Sequence, residues 1–160
     1  MPEVKLYTPK VAVFLNTSTF ETPIWRRIGK GVTGLTLNYN PQVSTEQYIH
    51  EDSATSSTDS YQVAQDLPMT CYAGEPVFDH LDAIRMARGV GSAAACDLLI
   101  VYLYTTSPYK AERNAGNIAI NDFGGDAGAP VVLNATISFN GDPVRGTATV
   151  VDGVVSFTAT

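Results

Sequence analysis

The run "LLIVYLY", residues 98–104, limits the fold more than any other stretch of the chain. Its seven residues match the length of one strand and fall far short of the roughly 20 a helix needs to cross a bilayer. Side chains along a strand alternate between two faces, so a run with no polar alternation must be covered on both. The chain therefore needs a central strand whose second face lies under a helix, another layer or another subunit.

The sequence around this run has period two. In "GLTLNYN", residues 34–40, Leu35, Leu37 and Tyr39 alternate with Thr36, Asn38 and Asn40, which reads as a half-buried strand. Further on, Tyr61, Val63, Leu67, Met69 and Cys71 share one parity while Gln62, Asp66 and Thr70 take the other. The two segments are expected to pair as a long hairpin. "NIAINDF" and "VVLNATISFN" add two strands, "NGDP" at 140–143 signals a turn, and "GTATVVDGVVSFTAT" predicts a hairpin around Asp152 and Gly153. One segment departs from this pattern. In "EPVFDHLDAIRMARG", Pro76 suits a first helical turn, Val77, Leu81 and Ile84 have helical spacing, and Gly89 suits a stop, so a helix is expected over about 76–88.

These elements define an α+β, mainly β chain: a two-sheet β-sandwich or flattened barrel with one flanking α-helix and a long hairpin arm. No repeat or linker divides its 160 residues, so a single domain over 1–160 is expected. The arm, about 49–60, reads "IHEDSATSSTDS" and has no large apolar residue between Ile49 and Tyr61. A segment so polar predicts a loose arm that orders on assembly.

Charge narrows the possible partners. The formal net charge is -6, and from Gly31 to Ile84 there is no Lys or Arg among Glu46, Glu51, Asp52, Asp59, Asp66, Glu75, Asp79 and Asp82. Such a balance argues against a protein that grips nucleic acid by neutralising phosphates. Charged residues make up only 16% of the chain, well below the roughly 25% usual in soluble proteins, so much of the surface is neutral and polar. The first sixteen residues show no basic region followed by an apolar core, and no export signal or membrane partner is expected.

Motifs for chemistry are sparse. His50 and His80 are the only histidines and lack zinc-site spacing; Cys71 and Cys96 are either a pair or two separate thiols, with reduced thiols the expectation for an unsecreted chain. "GKG" at 29–31 and "FGGDAG" at 123–128 lack the phosphate-loop pattern and read as turns. The carboxylates of Glu51 and Asp52, in a polar arm, read as solvated. No catalytic residue, metal or cofactor is expected.

Three blocks nevertheless carry a resemblance. "WRRIGKGVTGLTLNYNPQVSTEQYIHEDSATS" at 25–56, "GEPVFDHLDAIRMARGVGS" at 74–92 and "INDFGGDAG" at 120–128 resemble, in order and spacing, the major tail tube proteins of long-tailed bacteriophages. The resemblance implies a non-enzymatic virion protein whose hexameric rings stack into a hollow tail tube, assembled in the bacterial host cytoplasm. It implies as partners further copies of the chain, a tape-measure protein, tail-tip or baseplate and tail-terminator proteins, and double-stranded DNA in transit without specific binding. A tail-terminator or a capsid-decorating protein is the alternative.

Within that frame, three groups of site residues are expected. The inter-subunit arm comprises Ile49, His50, Glu51, Asp52, Ser53, Thr58 and Asp59. Interface anchors are Trp25, Arg26, Arg27, Arg85 and Arg88, with a half-buried core position the equal alternative for Trp25. Asn38, Asp66, Glu112 and Asp122 are expected to face the lumen, where carboxylates repel DNA and let it slide; the alternative for Asp122 is a role in shaping the "NDFGGD" bend.

Overall fold

In the computed structural model, which describes residues 2–160, ten strands and one α-helix follow one another. They are β1 (Val11–Asn16), β2 (Trp25–Arg27), β3 (Thr36–Asn38), β4 (Pro41–Glu46), β5 (Thr55–Tyr61), β6 (Ala64–Thr70), α1 (Pro76–Ala87), β7 (Ala95–Tyr102), β8 (Tyr109–Gly124), β9 (Val132–Val151) and β10 (Val154–Ala159). Eight strands form one sheet in the order β2-β1-β7-β8-β9-β6-β3, with β10 added on β9, while β4 and β5 pair separately as the arm. Every pairing is antiparallel. The class is α+β and mainly β with two sheets, as the sequence predicts, and the larger sheet is not a closed barrel.

Strand β7 shows why "LLIVYLY" carries no polar alternation. Leu98 and Ile100 join a core with Val13, Leu67, Ile137 and the helix residues Val77, Phe78 and Leu81. Leu99 and Val101 enter a second core with Ala12, Phe14, Ala111, Ala148 and Val155. Each of the four side chains contributes roughly 1.5–3 kcal/mol relative to exposure, so β7 is held from both sides. The long strands β8 and β9 serve both cores, placing Ile118 and Ile137 in the first and Ala111 and Ala148 in the second.

The expected hairpin is present, with Thr36 opposite Asp66, Leu37 opposite Gln65 and Asn38 opposite Ala64. The Asp152–Gly153 turn is also present, and positive φ at both residues (51° and 78°) gives the twist that suits a two-residue hairpin.

Three sequence expectations are corrected. "NGDP" is not a chain reversal: β9 continues through it, and the pairing with β8 jumps from Asn140 opposite Ala115 to Val144 opposite Arg113. Its turn chemistry is used for a bulge that absorbs the unpaired residues 141–143 within one long strand. Helix α1 starts as expected, with the Glu75 carboxylate accepting from the Phe78 N–H at 2.9 Å, but the left-handed residue at its end is Arg88 (φ 48°) and not Gly89. Gly89 is needed for close approach, since a Cβ there would lie 3.0 Å from the Ala93 carbonyl oxygen. Lastly, the arm has regular strand geometry in the single chain, where the sequence predicts a loose segment. Exposed Thr and Ser suit strand backbone, and hydroxyls bond across the ladder at Ser44–Ser57 and Thr45–Ser56, both 3.1 Å.

Candidate assembly surfaces

The arm's base is closed by Gln62 N–H, which donates to the Tyr39 carbonyl at 3.1 Å, and the ladder projects from there with every residue of β4 and β5 exposed. Its tip is an ordered turn. Glu51 N–H donates to the Tyr48 carbonyl at 3.0 Å, the Tyr48 hydroxyl donates to Glu46 Oε2 at 2.9 Å, and the Thr55 hydroxyl donates to Glu51 Oε2 at 3.2 Å. His50 stacks on Tyr48 with ring centroids 6.2 Å apart and lies 3.6 Å from the Glu51 carboxylate. Ile49 at this tip is fully exposed, while Asp52 and Ser53 complete the turn beside it. Farther back, Thr58 faces Val43 across the ladder and Asp59 accepts from the Ser57 hydroxyl at 3.1 Å. The arm thus presents one aliphatic side chain among carboxylates at the end of a two-stranded ladder.

A second surface is the outer face of β3, β6, β9 and β8. Asn38 Nδ2 donates to Asp66 Oδ2 at 3.3 Å, the Thr136 hydroxyl donates to Asp66 Oδ1 at 3.4 Å, and Asn121 Nδ2 donates to the Thr136 hydroxyl at 2.9 Å. Asn134 Nδ2 donates to Asp122 Oδ1 at 2.7 Å. Three of the four expected lumen residues, Asn38, Asp66 and Asp122, therefore share one face. Neither β3, β6, the 115–124 segment of β8 nor the 132–140 segment of β9 contains a Lys or Arg. Glu112 lies elsewhere, in a groove at the arm's base, where its carboxylate accepts from the Tyr102 hydroxyl at 3.1 Å. Burial, and then that carboxylate, raise the Tyr102 pKa. Asp122 stands in a strand and is held by a neighbouring strand, while in the turn beyond the Asp126 backbone carbonyl accepts from Ala129 N–H at 3.0 Å.

The expected anchors divide. Trp25 is half-buried against the second core, with the Arg113 guanidinium over its ring at 5.2 Å. Arg26 is exposed, and Arg27 Nη2 donates to the Pro9 carbonyl at 3.1 Å. Arg85 is engaged in its own chain, 2.6 Å from the Asp82 carboxylate and stacked on Phe123 at 3.9 Å. Exposed Arg88 lines a cleft between the end of α1 and β8, together with Ile84, Val90, Ile120 and Phe123.

Sequence reasoning missed the ion pair of Asp97 and Arg113. Arg113 Nε donates to Asp97 Oδ2 at 2.8 Å, its Nη2 donates to the Phe20 carbonyl at 2.9 Å, and its guanidinium carbon lies 4.1 Å from the centroid of the Phe20 ring. One guanidinium thus ties the loop after β1 to strands β7 and β8. The available signal was a lone Asp inside an apolar strand, which needs a partner when buried. Cys71 and Cys96 are separate free thiols; burial raises both pKa values, that of Cys96 to about 12, and burial lowers that of His80.

A known structure shares this architecture. A tail subunit of an empty GTA particle, solved with helical refinement and C6 symmetry, matches with a TM-score of 0.62 at 9% identity, over 97% of this chain and 100% of that one. The two chains share a fold. A chain of the six-fold symmetrised baseplate of the anti-feeding prophage gives a TM-score of 0.49 at 16% identity, over 91% of this chain and 95% of that one. No protein-family model and no curated protein sequence matches the chain. The kinship is therefore one of fold.

Proposed function

We propose that this chain is a structural subunit of a phage-type tail and that its copies close into sixfold rings which stack into a tube. The observation that carries this reading is the fold likeness to a subunit of a C6-symmetric tail, over 97% of this chain and 100% of that one. The surfaces suit the role. Subunits joined head to tail need two different faces, and closure of the ring satisfies both on every copy. The arm, with Ile49 through Asp59, supplies a projecting face that reaches a neighbouring subunit or ring, and Arg26 and Arg88 are exposed cations available to meet its carboxylates.

The cation-free face bearing Asn38, Asp66 and Asp122 is the lumen wall in this reading. DNA presents about one negative charge per 1.7 Å of axis, so a wall without Lys or Arg offers no counter-charge to arrest it. Negative-stain electron microscopy of the protein at rising concentration tests the proposal. Stacked rings or hollow tubes support it; chains that stay single at the highest concentration, even with preformed tail tips added, overturn it.

A further inference from the structure

Beside the end of α1 the sheet is left uncovered. Ile84, Val90, Ile118, Ile120 and Phe123 line an open cleft of about 760 Å³ there. The Ile84 and Arg85 carbonyls at the helix end accept from Gly89 N–H and Arg88 N–H, both at 3.1 Å, so an aliphatic side chain can lie over this turn without burying either as an unpaired acceptor. The charged residues lining the cleft are Arg85, Arg88 and Asp122. Arg85 is paired with Asp82, and the Asp122 carboxylate is held by Asn134 on the polar face of the sheet. Arg88 is exposed and has no carboxylate partner among the described residues. The cleft therefore offers an apolar floor and one uncompensated cation.

The arm tip has the reciprocal character. Ile49 is fully exposed at its end. Glu46 accepts from Tyr48 and Glu51 from Thr55, which leaves exposed Asp52 as the tip carboxylate without a partner among the described residues. Tip and cleft also lie in opposite directions along the sheet. Asn38, where the chain leaves for the arm, is level with Ala64, Ser138 and Asn117. From Asn117, β8 continues to Phe123 and the cleft, while β3, which runs against β8, enters the arm heading the other way. The arm thus leaves in the direction away from its own cleft, as a contact between copies stacked head to tail requires.

We propose that the arm tip of one copy seats in the cleft between α1 and β8 of another. Ile49 covers the floor formed by Ile84, Ile120 and Phe123, and Asp52 pairs with Arg88. The groove at the arm's base is a poor seat, because Asp59, Glu112 and Asp142 line it against Arg145 alone and repel an acidic tip. The contact rests on the reading of the arm as an inter-subunit element and names the surface that receives it.

Photo-crosslinking tests this with the full-length chain. Benzoylphenylalanine replaces Ile49, and the labelled chain is mixed at high concentration with an ¹⁵N-labelled chain that lacks it, so that mass spectrometry tells links between copies from links within one. The expected result is a link between copies from position 49 to residues 84–90 or 118–123. Its yield should fall about tenfold when both chains carry Arg88→Glu, since an attraction becomes a repulsion, and return when Asp52→Arg is added to both. Links to another surface, links confined to one chain, or none overturn the proposal, as does a loss that Asp52→Arg leaves unrestored. Electron microscopy of the same samples separates the two readings. Rings with position 49 linked elsewhere would sink this contact alone, and the expected link without rings would sink the sixfold tube alone.

Discussion

Single residues here secure the fold of the chain. Asp97 is buried, and among the described residues Arg113 is its only charged partner, held between Phe20 and Trp25. Removing one member of such a pair leaves an uncompensated charge, so Arg113→Ala should cost roughly 3 kcal/mol in urea unfolding. Replacing both members, with Leu at 97 and Met at 113, should cost less than the single change. Cys96 gives a pH signature. Its thiol ionises near the ordinary 9.0 in the unfolded chain and near about 12 in the native one, because burial penalises the thiolate. The native state holds that proton more tightly, so the stability it carries is complete below pH 9 and is lost as pH rises toward 12. Unfolding free energies of the native chain and of Cys96→Ala, compared from pH 8 to 11, should converge as pH rises.

Among the elements, the arm is the one most separable from the fold. Its strands pair only with each other, and its base is already closed where Gln62 donates to Tyr39. Replacing residues 41–61 with a two-residue turn should therefore leave thermal unfolding within a few degrees of the intact chain and abolish higher assemblies in sedimentation velocity. Assembly unchanged by that excision would remove the arm from the mechanism. The elements also show what a sequence discloses. Strand β7, the β3–β6 pairing, helix α1 and the last hairpin were legible because each is fixed by local periodicity, a cap or a turn pair. The bulge at 141–143 was not, since Gly and Pro mark a bend and a reversal with the same residues, and only the partner strand decides between them. The arm's strands were obscured because no core imposes alternation on a ladder exposed along its length.

For the whole molecule, the sequence disclosed the composition of the surfaces more readily than their arrangement. Asn38, Asp66 and Asp122 could be picked as polar-face residues by parity, but that hydrogen bonds link Asn38 to Asp66 and Asn121 across four strands depends on register. Glu112 fell on a different surface because β8 serves two cores and continues past a bulge, so one strand contributes to several environments. If the polar face lines a bore, Asp66→Lys with Asp122→Lys should spare tube formation and slow DNA release from assembled particles, followed by dye uptake after triggered ejection. The most direct test of the whole account is a cryo-EM map of the assembled protein, sectioned across its axis. The expected map is a sixfold ring with Asp66 and Asp122 facing the bore and the tip at Ile49 seated on another subunit. A ring with that face turned outward, or an assembly in which the arm tip touches nothing, would contradict it.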